Sequence, residues 1–353
     1  MKLNKKASLL FLIALALYFI ISVFLPTDTE KISYGTLLVL NAFAVSIPAF
    51  LIPAIVFRRK NGFAVYPAPR VTHILIALML GIGCMLLNVA LVCLDQAITY
   101  GMEINSTAVD VKQGLEGASM PLMILTIAVI PAICEEFMMR GALLETWRRT
   151  SFIGAAVITS LLFALLHASP SNLIVYFAMG MLFAVVYNIT RNVWMTVIIH
   201  FVNNLLSVLA AAYAMGNADA AAEAGALLED AADMTRAECV SGFLSYLLFA
   251  AIVIVPMIIL LKNSCRKHEI GMFAAVEPDF VPEVSEAFAV EAIEGEGSLI
   301  TDGVTAVKAP EETERGAGVL LKDPLLWVAI VFLLALNVVA GLIEFGVISA
   351  ALD

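Results

Sequence analysis

"ICEEFMMRGALL", residues 133–144, places Glu135, Glu136 and Arg140 inside a run otherwise apolar enough to enter a lipid bilayer. A charge at the centre of a membrane helix costs roughly 2.5–3.5 kcal/mol on insertion scales, whereas a leucine or phenylalanine returns only about 0.3–0.6 kcal/mol. Three charges in one such helix must therefore be paired or used. Helical geometry divides them. Glu136 and Arg140 are four apart and share a face, so they can pair within the helix. Glu135 is turned about 100° from Glu136 and must face something else. Cys134 and Gly141 are small neighbours that let another helix approach.

The rest of the chain agrees with a membrane reading. Of 353 residues, 61% are hydrophobic and 14% charged, and the mean hydropathy is +0.96. Soluble domains run at about 45–50% apolar and a quarter charged. The expected fold is all-α, a polytopic membrane helical bundle of eight or nine transmembrane helices. Apolar runs fall at about 7–26, 35–57, 73–97, 121–146, 152–169, 171–190, 193–213, 241–261 and 325–349, with the fifth and sixth the shortest. The first follows Lys2, Lys5 and Lys6 like a signal peptide, but it is long and no A-x-A site follows it, so it reads as a retained helix.

Loop charges orient the bundle. With the N-terminus in the cytoplasm and the helices alternating, 16 of the 20 lysines and arginines lie inside. Lys31, Lys112 and Arg236 lie outside, and Arg140 lies in the membrane. The net charge of −10 is unevenly spread and gives no reason to propose a nucleic-acid partner. The five cysteines form no C-x-x-C pair and read as small core residues.

The chain divides into 1–120 (N-terminal helices and an interfacial segment), 121–213 (the polar-bearing helices), and 214–240 (an acidic outer loop). Beyond these come 241–261 (a helix), 262–324 (an acidic insertion) and 325–353 (a last helix). The insertion carries 13 acidic and 6 basic side chains without a sustained period, so it is expected to be a flexible cytoplasmic spacer. With no internal repeat, Gly-rich phosphate loop or soluble enzyme domain in view, any chemistry must lie in the membrane.

Two more stretches supply what Glu135 could face. "FALLH" puts His167 one turn after Phe163, and "HFVNN" puts Asn204 one turn after His200. The other two histidines, His73 and His268, sit at membrane edges and read as interfacial. Taken singly, a buried histidine is usually a packing residue, Asn204 a helix-bridging amide and a Glu–Arg pair a structural device. Together, an unpaired carboxylate, two imidazoles and an amide on neighbouring helices match the parts of a hydrolytic site.

E-E-x-x-x-R (Glu135, Glu136, Arg140), F-x-x-x-H (Phe163, His167) and H-x-x-x-N (His200, Asn204) also resemble, in order and spacing, the motifs of the CPBP family. That family comprises the type II CAAX prenyl endopeptidases and bacterial relatives that include bacteriocin-processing and immunity proteins. The resemblance covers about residues 120–210 and implies peptide-bond hydrolysis in the membrane. It implies Glu135 as general base on a water held by His167, with His200 and Asn204 donating to the oxyanion. Arg140 would keep Glu136 charged.

Family members are often described as metalloproteases, and Glu135, His167 and His200 could ligate zinc with one position open. Against this, H-E-x-x-H is absent and one ligand set cannot also supply the base and the oxyanion donors. Two other readings compete: a proton-coupled transporter component, and a non-catalytic scaffold or immunity protein that shelters a membrane partner. The expected setting is a bacterial cell membrane, with a peptide precursor or membrane-protein segment as substrate. One difficulty is depth: counted along straight, upright helices from the inner edge, His200 lies ~13 Å deep, Glu135 ~20 Å and His167 beyond ~22 Å.

Overall fold

The computed structural model describes residues 2–25, 33–100, 119–216, 234–267 and 316–344. They form an all-α polytopic membrane bundle. Eight helices are long and apolar enough to cross a membrane: α1 (Leu3–Val23), α2 (Gly35–Lys60), α3 (Val71–Ile98), α4 (Met120–Trp147), α6 (Leu173–Thr190), α7 (Val193–Gly216), α8 (Arg236–Lys267) and α10 (Pro324–Glu344). A ninth, α5 (Phe152–Leu166), has 15 residues and spans only about 22 Å. The one-turn α9 (Ala317–Leu321) precedes α10.

Local chemistry places several boundaries. Ser151 starts α5 by accepting the Gly154 N–H at 3.2 Å. Arg191 closes α6 in the left-handed region, and Asn192 Oδ1 then accepts the Trp194 N–H at 3.0 Å to open α7. Inside α4, π-helical turns over Ile124–Val129 and Phe137–Leu144 flank Pro131 and the two glutamates. Such wide turns are rare and concentrate at functional sites.

Two large apolar cores and a small third one around Met123 and Val208 hold the described helices. One large core joins α1, α2, α4, α5 and α10 around Phe11, Phe50, Met138, Leu143 and Leu162. The other large core joins α3, α6, α7 and α8 around Leu80, Met179, Phe183 and Ile199. The outer faces of α8 and α10 (Leu248, Ile252, Val255, Val331, Val338) are apolar and exposed, as lipid-facing surfaces require.

His73, near the start of α3, is fully buried, with Nε2 2.9 Å from Ser264 Oγ of α8. Two sequence expectations need revision. The helix expected over 241–261 runs from Arg236 to Lys267. Residues 316–324 of the expected insertion are packed: the Gly316 N–H donates to Thr150 O at 3.0 Å and Leu320 is buried. Residues 262–267 of that insertion thus belong to α8, whereas residues 268–315 (His268 included), the expected interfacial segment within 98–120 and most of the 214–240 loop lie outside the described residues.

At the Lys2, Arg58 and Arg191 end of the bundle, a polar chain fixes the 61–70 loop against α4. Arg58 donates to Tyr66 Oη (2.7 Å) and to the Gly141 carbonyl, and Tyr187 donates to Glu145 (2.9 Å). The 2.8 Å bond between the phenols therefore runs from Tyr66 to Tyr187. Burial pushes the Tyr66 phenol up to about 12, although Arg58 beside it pulls the other way, so Tyr66 keeps the proton this chain requires.

Candidate active site

Glu136 and Arg140 form the expected i,i+4 pair, Nη1 to Oε1 at 2.8 Å with both side chains fully buried. Arg140 also donates from Nη2 to the Gly180 carbonyl on α6 at 3.0 Å. Its guanidinium lies 4.9 Å from the Phe163 ring and 5.1 Å from that of Phe183. A buried cation is tolerable there because its charge is met by a carboxylate, a carbonyl and two aromatic faces.

Glu136 has a second partner that its helical spacing does not announce. His200 Nδ1 lies 3.2 Å from the same Oε1. A carboxylate already bound to a guanidinium is an acceptor, so Nδ1 carries the hydrogen. The remaining nitrogen, Nε2, is then an acceptor in the neutral ring and a donor in the imidazolium.

Glu135 faces the other way, as the 100° rotation requires. Its Oε2 lies 4.0 Å from His167 Nε2, and these two side chains are about one-fifth exposed (19% and 23%), against 0% and 4% for Glu136 and His200. Glu135 Oε2 has no hydrogen-bond partner among the described residues. His167 Nδ1 is tied to the Phe163 carbonyl at 2.8 Å, which puts the hydrogen on Nδ1 and leaves Nε2 a bare acceptor toward Glu135. Tyr176 stacks on the imidazole, with centroids 3.9 Å apart and planes 19° from parallel.

Phe163 ties the halves together. Its ring meets His167 edge-on at 4.8 Å and His200 at 5.9 Å, and Phe183 stacks on His200 at 5.4 Å. The depth difficulty is thereby resolved: Glu135, His167 and His200 line one cavity of about 310 Å³. That volume corresponds to about ten water molecules. Asn88 from α3, Ile127 and Pro131 from α4, Tyr176 and Met179 from α6, and Asn203, Asn204 and Ser207 from α7 complete the lining.

Asn204 is engaged in a way the motif spacing does not convey. Pro131 has no N–H to give to the carbonyl four residues back, that of Ile127. Asn204 Nδ2 donates to that carbonyl at 3.2 Å, and Asn203 Nδ2 donates to Asn204 Oδ1 at 3.2 Å. One N–H of Asn204 thus braces α7 against α4, and the second remains for the cavity. Tyr176, Asn203, Asn88, Phe183 and Gly180 were missed by sequence reasoning. Only Pro131 offered a signal, as a helix-interior proline whose orphaned carbonyl needs a donor.

The suggested zinc set, Glu135, His167 and His200, shares the cavity but is not arranged to hold an ion. No group of three or more His, Cys, Asp or Glu side chains arranged to hold a metal occurs among the described residues, and His200 is turned to Glu136. The donors present do not fit the ion, and no step is derived through one.

The fold and the cavity define a membrane-embedded protein with a buried carboxylate–imidazole centre reached from a polar cavity. Residues 117–206 match the family described as Rce1-like, type II CAAX prenyl endopeptidase. Over 95 residues the chain is 35% identical to YdiL of Bacillus subtilis (strain 168), provisionally described as a membrane peptidase, which is 26% of this chain and 38% of that protein. Over 91 residues it is 31% identical to the membrane-embedded CAAX protease MroQ of Staphylococcus aureus (strain USA300), 24% of this chain and 37% of MroQ. The matched part thus spans well under half the length of each relative. No solved structure matches the chain significantly. Over residues 117–206, the stretch that carries the three motifs, the chain is thus similar to this family of membrane proteases.

Proposed function

We propose that the cavity is the active site of an intramembrane endopeptidase that hydrolyses a peptide bond with a water activated by Glu135. The observation that carries this reading is the 4.0 Å gap between Glu135 Oε2 and His167 Nε2. Both atoms are acceptors, so a water beside them can give one hydrogen to each. Glu135 takes the proton as the water oxygen bonds to the scissile carbonyl carbon. The developing oxyanion is met by Nε2–H of the His200 imidazolium, whose charge Glu136 balances, and by the second N–H of Asn204. Glu135 then passes its proton to the departing nitrogen as the C–N bond breaks. The products are a free carboxylic acid and a free amine.

The substrate class is a peptide precursor or a segment of a membrane protein, reached within the bilayer. We place the protein in a bacterial cell membrane with its N-terminus in the cytoplasm, on the loop-charge asymmetry and the bacterial origin of both relatives. The named activity of MroQ, CAAX proteolysis, supports the reaction class.

The test compares Glu135→Gln with wild type, expressed at equal levels, by mass spectrometry of membrane and secreted peptides. We expect uncleaved precursors to accumulate in the variant and the loss of turnover to reach about 10²–10⁴-fold. Identical peptide profiles would sink the hydrolytic reading and favour a scaffold. Loss of a proton flux in place of a peptide product would favour the transporter.

A further inference from the structure

The helix that presents His167 has 15 residues, about 22 Å, short of the roughly 30 Å hydrocarbon core of a bilayer. The carbonyls of its last turn have no intrahelical donors and need others. The Leu165 carbonyl receives two. The Ala168 N–H reaches it at 3.2 Å, and Asn337 Nδ2, from α10, reaches it at 2.7 Å. Asn337 is 7% exposed, and its amide also donates to Leu333 O at 2.9 Å, which fixes its rotamer. The turn it holds is unusual. Ala168 takes φ +47°, a left-handed conformation that a non-glycine residue keeps only where its surroundings enforce it.

The contact is not isolated. The 316–344 segment follows α5 along its whole length. At one end the Gly316 N–H donates to Thr150 O, and a Cβ on Gly154 would come within 2.7 Å of that of Ala317. At the other, a Cβ on Gly341 would lie 3.3 Å from Pro170 Cγ. This segment lies outside the family match at 117–206.

We propose that Asn337 is a positioning residue for His167. By holding the Leu165 carbonyl it sets the closing turn of α5, and with it the direction from which the His167 ring faces Glu135. The consequence for catalysis rests on the hydrolytic reading above, whereas the positioning itself does not.

The chain has four histidines, so ring NMR of the full-length, histidine-labelled protein in nanodiscs can follow each one, with assignments from single substitutions. Asn337→Leu should shift the ring resonances and titration midpoint of His167 while leaving those of His73 and His200 in place. Asn337→Gln, which keeps an amide donor, should bring them back toward wild type. If Asn337→Leu does not fold, Gly341→Ala, which presses the same turn through Pro170, is read instead and should also move His167 selectively. Wild-type His167 signals in the folded variant, or equal movement of all the rings, would overturn the proposal. Because the readout is spectroscopic, a protein that cleaves nothing still answers the question.

Discussion

His200 and Glu136 meet at 3.2 Å from different helices, and the oxygen between them is the one that Arg140 already holds. Glu136 therefore serves both the fold and the site. Removing the charge in Glu136→Gln leaves Arg140 buried without its counter-ion, at a cost of about 3–5 kcal/mol. The single variant should show low yield and a lowered unfolding temperature in detergent. Adding Arg140→Met removes the stranded cation and should recover much of the stability, since replacing a buried ion pair by well-packed groups is often near neutral. Activity should stay lost, because His200 has no carboxylate to balance its charged form. A double variant that recovers both stability and cleavage would remove Glu136 from the chemistry.

Tyr176 lies 3.9 Å from the His167 ring in a near-parallel stack. Tyr176→Phe keeps the stacking surface and should retain turnover. Tyr176→Ala loses an aromatic contact worth about 0.5–1.5 kcal/mol, for a drop in kcat of about two- to tenfold. If Phe and Ala variants lose equally, the hydroxyl matters and the stacking role is wrong.

Gly180 of α6 lies close against Ser160 of α5 beside the site. An added Cβ would sit 2.8 Å from Ser160 Cβ and 2.9 Å from Ser160 Cα, and the backbone member of that pair cannot swing aside. The Gly180 carbonyl also accepts Arg140 Nη2. Gly180→Ala should force the helices apart and lengthen that bond. We expect a stability loss of about 1–3 kcal/mol by thermal unfolding, as for overpacking elsewhere. Unchanged stability would show that the two helices can separate without penalty.

What was legible in the sequence follows physical scale. Apolar runs and loop charges are summed over many residues, so the helical membrane fold could be read from them. The Glu136–Arg140 pair and the opposite facing of Glu135 follow from the 3.6-residue period alone. The Glu136–His200 and Asn337–Leu165 contacts join residues 64 and 172 positions apart, and no local period encodes them. Between His167 and Tyr176, which stack, the chain turns through the left-handed Ala168, a conformation that a non-glycine residue gives no reason to expect. Counting along straight, upright helices could not show that Glu135, His167 and His200 share one cavity, because that depends on how the helices pack.

Asn204 and Pro131 offer a way to separate bracing from catalysis at one side chain. Pro131 denies the Ile127 carbonyl its helical donor, and Asn204 Nδ2 supplies one at 3.2 Å. Asn204→Leu in the natural background leaves that carbonyl unpaired and should cost about 1–3 kcal/mol of stability. In a Pro131→Ala background, residue 131 regains an N–H that can reach Ile127, so the same substitution should cost much less. The difference between the two costs, measured as a double-mutant cycle by thermal unfolding, isolates the bracing role and should reach about 0.5–3 kcal/mol. Cleavage should fall on loss of Asn204 in both backgrounds, since the oxyanion loses a donor whichever group serves Ile127. Additive stabilities would show that Asn204 does not brace the proline-broken turn. Restored cleavage in the Pro131→Ala background would show that bracing is all that Asn204 does.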